Sequence, residues 1–180
     1  MSTTRRIYEE YLVASTRTGD KKAAIELVEL RGPRLLLHAT RLLGNHDEAQ
    51  DAVQDAWIDI FKGLKSLRSD AAFPVWALRI VTRKCAALIK GKQRDRSLAA
   101  ALAPEIPQLV EPPPGVSRDL AQAIAALPSA QAATVALFYL EDLSLTEVSI
   151  ALDIPVGTVK SRLSLARRNL KTALEGENDV

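Results

Sequence analysis

Apolar residues return at three- and four-residue spacing through most of the chain, and that spacing predicts helices. The clearest run is Ala49, Ala52, Val53, Ala56, Trp57, Ile60 and Phe61, which would line one buried face of a helix from about Asn45 to Phe61. Asn45 and Glu48 are spaced as a capping pair for its start. A second long helix is expected to begin near Asp70 to Pro74 and to carry Trp76, Ile80, Val81, Ala87 and Leu88 inward. Between the two, KGLKSLRSDAAF reads as a loop because of Gly63, Ser66 and Ser69. Two further helices are expected ahead of this pair, around Thr18 to Leu30 and Pro33 to Leu43.

In the last third of the chain, Ser117 and Ser129 are placed to open two helices, and Ser144 with Glu147 forms the S-x-x-E capping box of a third. A tight break at Asp153-Ile154 follows. Pro155 suits the first turn of a fourth helix, whose Val156, Val159, Leu163, Ala166 and Leu170 fall on one face. A short helix, a brief turn and a longer helix are the parts of a helix-turn-helix.

Composition agrees with helix throughout. Only 4% of the 180 residues are aromatic, alanine and leucine dominate, and β-branched alternation is missing, so an all-α protein is expected. Five of the nine prolines lie in APEIPQLVEPPPGV, between Pro104 and Pro114, where they disfavour helix and suit a semi-rigid tether. Two small helical domains are therefore expected, residues 1–96 and 117–175, joined by a Pro-rich linker over 97–116. The stretch from Leu120 to Leu140 carries no charge but is broken by Gln122, Pro128, Ser129 and Gln131, so it reads as two short helices rather than a membrane span. With one cysteine, no internal disulfide can form, and the start lacks the apolar core of a signal peptide, so a cytoplasmic protein is expected.

The net charge is only +2, but the charges come in blocks. Asp47, Asp51, Asp55 and Asp59 recur every four residues beside the apolar face of the Asn45 helix, while Trp57, Ile58 and Phe61 give that helix more apolar surface than one buried face uses. An apolar centre rimmed by carboxylates suits a basic protein partner. Ten lysines and arginines against two aspartates lie between Ile60 and Arg96, among them Arg79, Arg83 and Lys84. Such a face suits DNA phosphate, and the polar loop ahead of it (Lys65, Ser66, Arg68, Ser69) could hold an unstacked base. From Ile154 to Leu174 there is no acid at all. In a groove-bound helix, residues near the N-terminal end reach bases and those farther along hold phosphates. On that logic Thr158, Lys160, Ser161 and Arg162 are candidate readers, with Arg167, Arg168 and Lys171 candidate anchors. His38, His46 and Cys85 are scattered, without metal-ligand spacing, a glycine-rich phosphate loop or a nucleophile-base pair, so neither catalysis nor a cofactor is expected.

Both halves resemble the bacterial RNA polymerase sigma factors of the extracytoplasmic-function (ECF) type. DEAQDAVQDAWIDIF is similar to that family's polymerase-binding segment, FPVWALRIVTRKCAALIK to its promoter-melting helix, and LEDLSLTEVSIALDIPVGTVKSRLSLARRNL to its upstream-element reader. The resemblance implies a specificity subunit without catalysis that binds core polymerase and reads two elements of promoter DNA. It implies Asp51, Gln54, Asp55, Ile58 and Phe61 on the polymerase, the 65–72 loop around a flipped base of the downstream element, and Arg79, Arg83 and Lys84 on nearby DNA. It also implies Lys160, Ser161 and Arg162 on the upstream element, and an anti-sigma factor as partner. Three positions depart from the family pattern: Arg83 for a usual asparagine, Ala87 for a usual aspartate and Leu165 for a usual arginine. Those departures are the only support for a second reading, a sigma mimic that sequesters an anti-sigma factor; a stand-alone helix-turn-helix regulator is a third.

Overall fold

The computed structural model describes residues 3–98 and 118–176. These form eight α-helices and no strand: α1 (Thr3–Arg17), α2 (Lys21–Leu43), α3 (His46–Gly63), α4 (Phe73–Leu98), α5 (Arg118–Ala125), α6 (Ser129–Val135), α7 (Leu145–Leu152) and α8 (Val156–Gly176). The prolines from Pro104 to Pro114, and with them nearly all of the expected linker, lie outside the described residues.

Residues 3–98 pack α1 on α2, α2 on α3, and α4 across both α2 and α3. Two sequence expectations are corrected here. The segments expected as separate helices around Thr18 to Leu30 and Pro33 to Leu43 are one helix, α2, with Pro33 inside it. A proline removes one ladder hydrogen bond, but Leu27, Arg31, Leu35 and Ala39 lie on one buried face on either side of it, and their packing outweighs that loss. Helix α1 was not expected at all. Its buried stripe is only Glu9, Leu12 and Val13, and Glu9 is there because it receives Arg31 of α2, with Nε to Oε1 at 2.6 Å and a second bond from Nη2. Both side chains are buried, so removing either would leave an uncompensated charge, a loss of about 3–5 kcal/mol.

The ends of these helices follow from local chemistry. Asp20 accepts from the backbone of Lys22 and Ala23 to start α2, and Gly44 ends it at φ 72°, a conformation that costs glycine little. Asn45 caps α3 through the Glu48 N–H as expected, but the Glu48 carboxylate turns away to Lys92 of α4 rather than closing a capping box. In α4 the buried residues are Phe73, Val75, Ala77, Leu78, Val81 and Cys85. Ala87 and Leu88, expected inward, are exposed.

Residues 118–176 form the second bundle, with α5 and α6 packed on α8 and α7 beside it. Ser129 is the first residue of α6 rather than its cap. Helix α6 widens into a single π turn over Ala136–Leu140 before Asp142, at φ 57°, reverses the chain. The two bundles touch: α7 lies on α4 and α6 on α2, and their buried residues join in one cluster. No helix among the described residues is long and apolar enough to cross a membrane.

Candidate nucleic-acid and polymerase interface

Three surfaces hold the candidate residues. The first is the outer face of α3. Its buried side is filled by Ala49, Ala52, Val53, Ala56, Trp57 and Ile60. That leaves Asp51, Gln54, Asp55, Ile58 and Phe61 exposed along the opposite side, where three- and four-residue steps align them. Ile58 is 49% and Phe61 39% exposed, so apolar surface stands in water between carboxylates. The Phe61 ring stacks on buried Trp57 with centroids 5.4 Å apart, which anchors it.

The second surface is the 64–72 loop with the start of α4. Leu64 and Leu67 are buried and pin the loop, and Lys65, Ser66, Arg68 and Ser69 are left exposed. Gly63 leaves room for the Trp76 ring, since a Cβ there would lie 3.0 Å from it and the ring would have to give by a few tenths of an ångström. The Ser66 hydroxyl donates to the Gly63 carbonyl at 2.7 Å, a local bond that shapes the turn. The end of α1 also reaches this loop, which sequence reasoning missed together with α1 itself. Arg17 bonds Asp70 at 2.6 Å, and the two line a cavity of about 320 Å³ with Ala14, Thr18 and Lys65.

Arg79, Arg83 and Lys84, expected on DNA, all hold carboxylates in this structure. Lys84 bonds Asp59 of α3 at 2.7 Å; that bond raises the lysine pKa and lowers the aspartate's. Arg79 Nη2 lies 2.8 Å from Asp153 Oδ1, and Arg83 donates through Nε and Nη2 to Asp153 Oδ2 at 3.2 Å each. Bonds from Arg79 and then Arg83 hold the Asp153 carboxyl below its usual range. Behind this face, His38 of α2 meets the Thr82 hydroxyl at 2.9 Å, and burial drives its pKa down to about 3. Cys85 is fully buried and its thiol is pushed up to about 12 by desolvation.

The third surface is the helix-turn-helix. Ser144 and Glu147 close the expected capping box at the start of α7. Asp153 ends α7 at φ 56°, which aspartate tolerates, and the Ser149 hydroxyl donates to the Ile154 carbonyl at 2.5 Å to fix the turn. Val159, Leu163 and Ala166 of α8 are buried, with Val156 and Leu170 half-buried beside them. Lys160, Ser161, Arg167 and Arg168 are exposed, and Thr158 and Arg162 are partly so. Among the described residues no acid pairs with Lys160, Arg162 or Arg168. Leu165 is 41% exposed on the same outer side, so the departure from the family pattern falls on the surface and not in the core. The described residues contain no cluster of metal-ligating side chains.

Comparison with known proteins follows the same division. The family model "Sigma-70 region 2" matches residues 27–95, covering α2 to α4, and "Sigma-70, region 4" matches 117–170, covering α5 to most of α8. The chain is 28% identical to the ECF RNA polymerase sigma factor SigW of Bacillus subtilis, over 90% of this chain and 94% of that one. It is 29% identical to the RNA polymerase sigma-H factor of Pseudomonas aeruginosa, over 93% and 94%. Among solved structures, the sigma factor RpoE of Bartonella quintana, in complex with the anti-sigma factor NepR, shares the fold with a TM-score of 0.69. It is 23% identical, over 83% of this chain and 95% of that one. CnrH in complex with the cytosolic domain of CnrY gives 0.64 at 20% identity, over 94% and 98%. With both sigma-70 regions present in order and relatives aligned along nearly their whole length, the chain belongs to the RNA polymerase sigma factors of the ECF type.

Proposed function

We propose that the chain binds core RNA polymerase through α3 and directs it to promoters by reading a downstream element with the 64–72 loop and α4, and an upstream element with α8. The observation that carries this reading is the presence, in one chain, of an acidic face with exposed apolar residues and a cationic helix-turn-helix. The first suits a protein partner, and the second suits DNA phosphate. On α3, Asp51, Gln54, Asp55, Ile58 and Phe61 would meet polymerase. On α8, Thr158, Lys160, Ser161 and Arg162 would reach bases while Arg167 and Arg168 hold phosphates. The work is done in the cytoplasm, beside the polymerase, and needs no cofactor or catalytic group of its own. An anti-sigma factor is a fitting partner, since the Bartonella quintana sigma factor compared above was solved in complex with one.

The test is transcription by purified chain and sigma-free core polymerase on a library of promoter fragments, with the transcripts sequenced. Start sites sharing two spaced motifs are expected. Asp51→Lys and Asp55→Lys should abolish core binding while circular dichroism stays that of the parent, because both side chains are exposed. Failure to bind core, combined with tight binding to an anti-sigma protein and no transcripts, would instead favour a sequestering mimic.

A further inference from the structure

We infer that Asp153, in the turn of the helix-turn-helix, acts as an internal stand-in for a DNA phosphate, closing the second bundle over Arg79 and Arg83 until nucleic acid displaces it. A carboxylate that receives two guanidinium groups presents them with the same charge and the same paired oxygens as a phosphate. Arg79 and Arg83 lie one turn apart on α4, and together they spend three N–H groups on that one side chain. DNA cannot use the same groups while Asp153 holds them.

The contact is also built to be released. Arg79 and Arg83 are 39% and 60% exposed and Asp153 is 43% exposed, so water and ions compete for all three. Arg79 Nε is buried without an acceptor, so the closed arrangement leaves a donor unsatisfied at the junction. Elsewhere α6 and α7 rest on α2 and α4, and Arg34 of α2 bonds Glu141 beyond the π turn, which gives the closed state a second point of attachment. Because Asp153 leads directly into Pro155 and α8, freeing it also releases the turn ahead of the recognition helix from Arg79 and Arg83. Nucleic acid on α4 and opening of the bundles are then linked, and each must favour the other to the same degree.

Asp153→Asn isolates the charge, since asparagine tolerates the same left-handed backbone. Dyes on full-length chain carrying Lys21→Cys and Ala173→Cys would report the separation of the bundles. Fluorescence anisotropy would report binding of a random-sequence single-stranded DNA oligonucleotide. Asp153→Asn is expected to widen the dye separation and to tighten oligonucleotide binding by roughly three- to tenfold, the range of one or two exposed ion pairs. The oligonucleotide should itself widen the separation in the parent. Adding Arg79→Ala and Arg83→Ala to Asp153→Asn should remove the gain in binding. Unchanged binding in Asp153→Asn, a gain that survives loss of both arginines, or an oligonucleotide that binds the parent without opening it would each overturn the inference. None of these readouts involves polymerase, so failure of the sigma-factor assay and failure of this contact are separately visible.

Discussion

His38 is a histidine that acts only through its burial. It sits between α2 and α4 with Thr82 as its hydrogen-bond partner, and its pKa of about 3 follows first from desolvation and then from the nearby Arg41 charge. The unfolded chain takes up a proton at this position below about pH 6.5, whereas the folded chain stays neutral until about pH 3. Stability contributed by His38 is therefore intact above pH 6.5 and falls as the pH drops toward 3. Between pH 6.5 and 5 the loss should be about 2 kcal/mol, from about 1.4 kcal/mol per pH unit. Urea unfolding at pH 7 and pH 5 would measure it, and His38→Gln, which can keep a bond to Thr82, should flatten that dependence. An equal pH dependence in the variant would assign the effect to other groups.

At the scale of elements, α8 separates two kinds of contact by position along one helix. Lys160 and Arg162 follow the turn closely, so Lys160→Ala or Arg162→Ala is expected to relax promoter choice at particular base positions, by about 1–3 kcal/mol each. Arg168 lies two turns farther on. Arg168→Ala should weaken every promoter alike and reduce the salt dependence of binding by about one counterion. Selection from randomised upstream elements by the holoenzyme, repeated at several salt concentrations, distinguishes these outcomes. Helices α3, α7 and α8 were legible in the sequence because their apolar spacing is regular and a polar cap marks the start of α3 and α7. Helix α1 was not, because its interior position is a glutamate whose arginine partner lies 22 residues away. The unity of α2 was hidden for a related reason: Pro33 is a local stop signal, while the packing that overrides it comes from other helices. Of the candidate site, the exposed faces of α3 and α8 could be read from periodicity. The Arg17 contact to Asp70 and the Asp153 contacts to Arg79 and Arg83 could not, since they span 53, 74 and 70 residues.

For the whole molecule, two bundles share one buried cluster, yet the ion pairs that join them at Asp153 are exposed. Calorimetry of the free chain at low salt is accordingly expected to give a single unfolding transition, because loss of α6 and α7 uncovers parts of α2 and α4. Two separate transitions would mean that the bundles unfold independently. The same burial that makes Cys85 part of the α4 core has a practical and a biological consequence. A thiol with its pKa near 12 and no exposed surface is scarcely ionised at neutral pH and is out of reach of an oxidant. As Cys85 is the chain's one cysteine, redox stress has no thiol handle on the folded protein. For the same reason, thiols introduced on the surface should be modified selectively against an inert background.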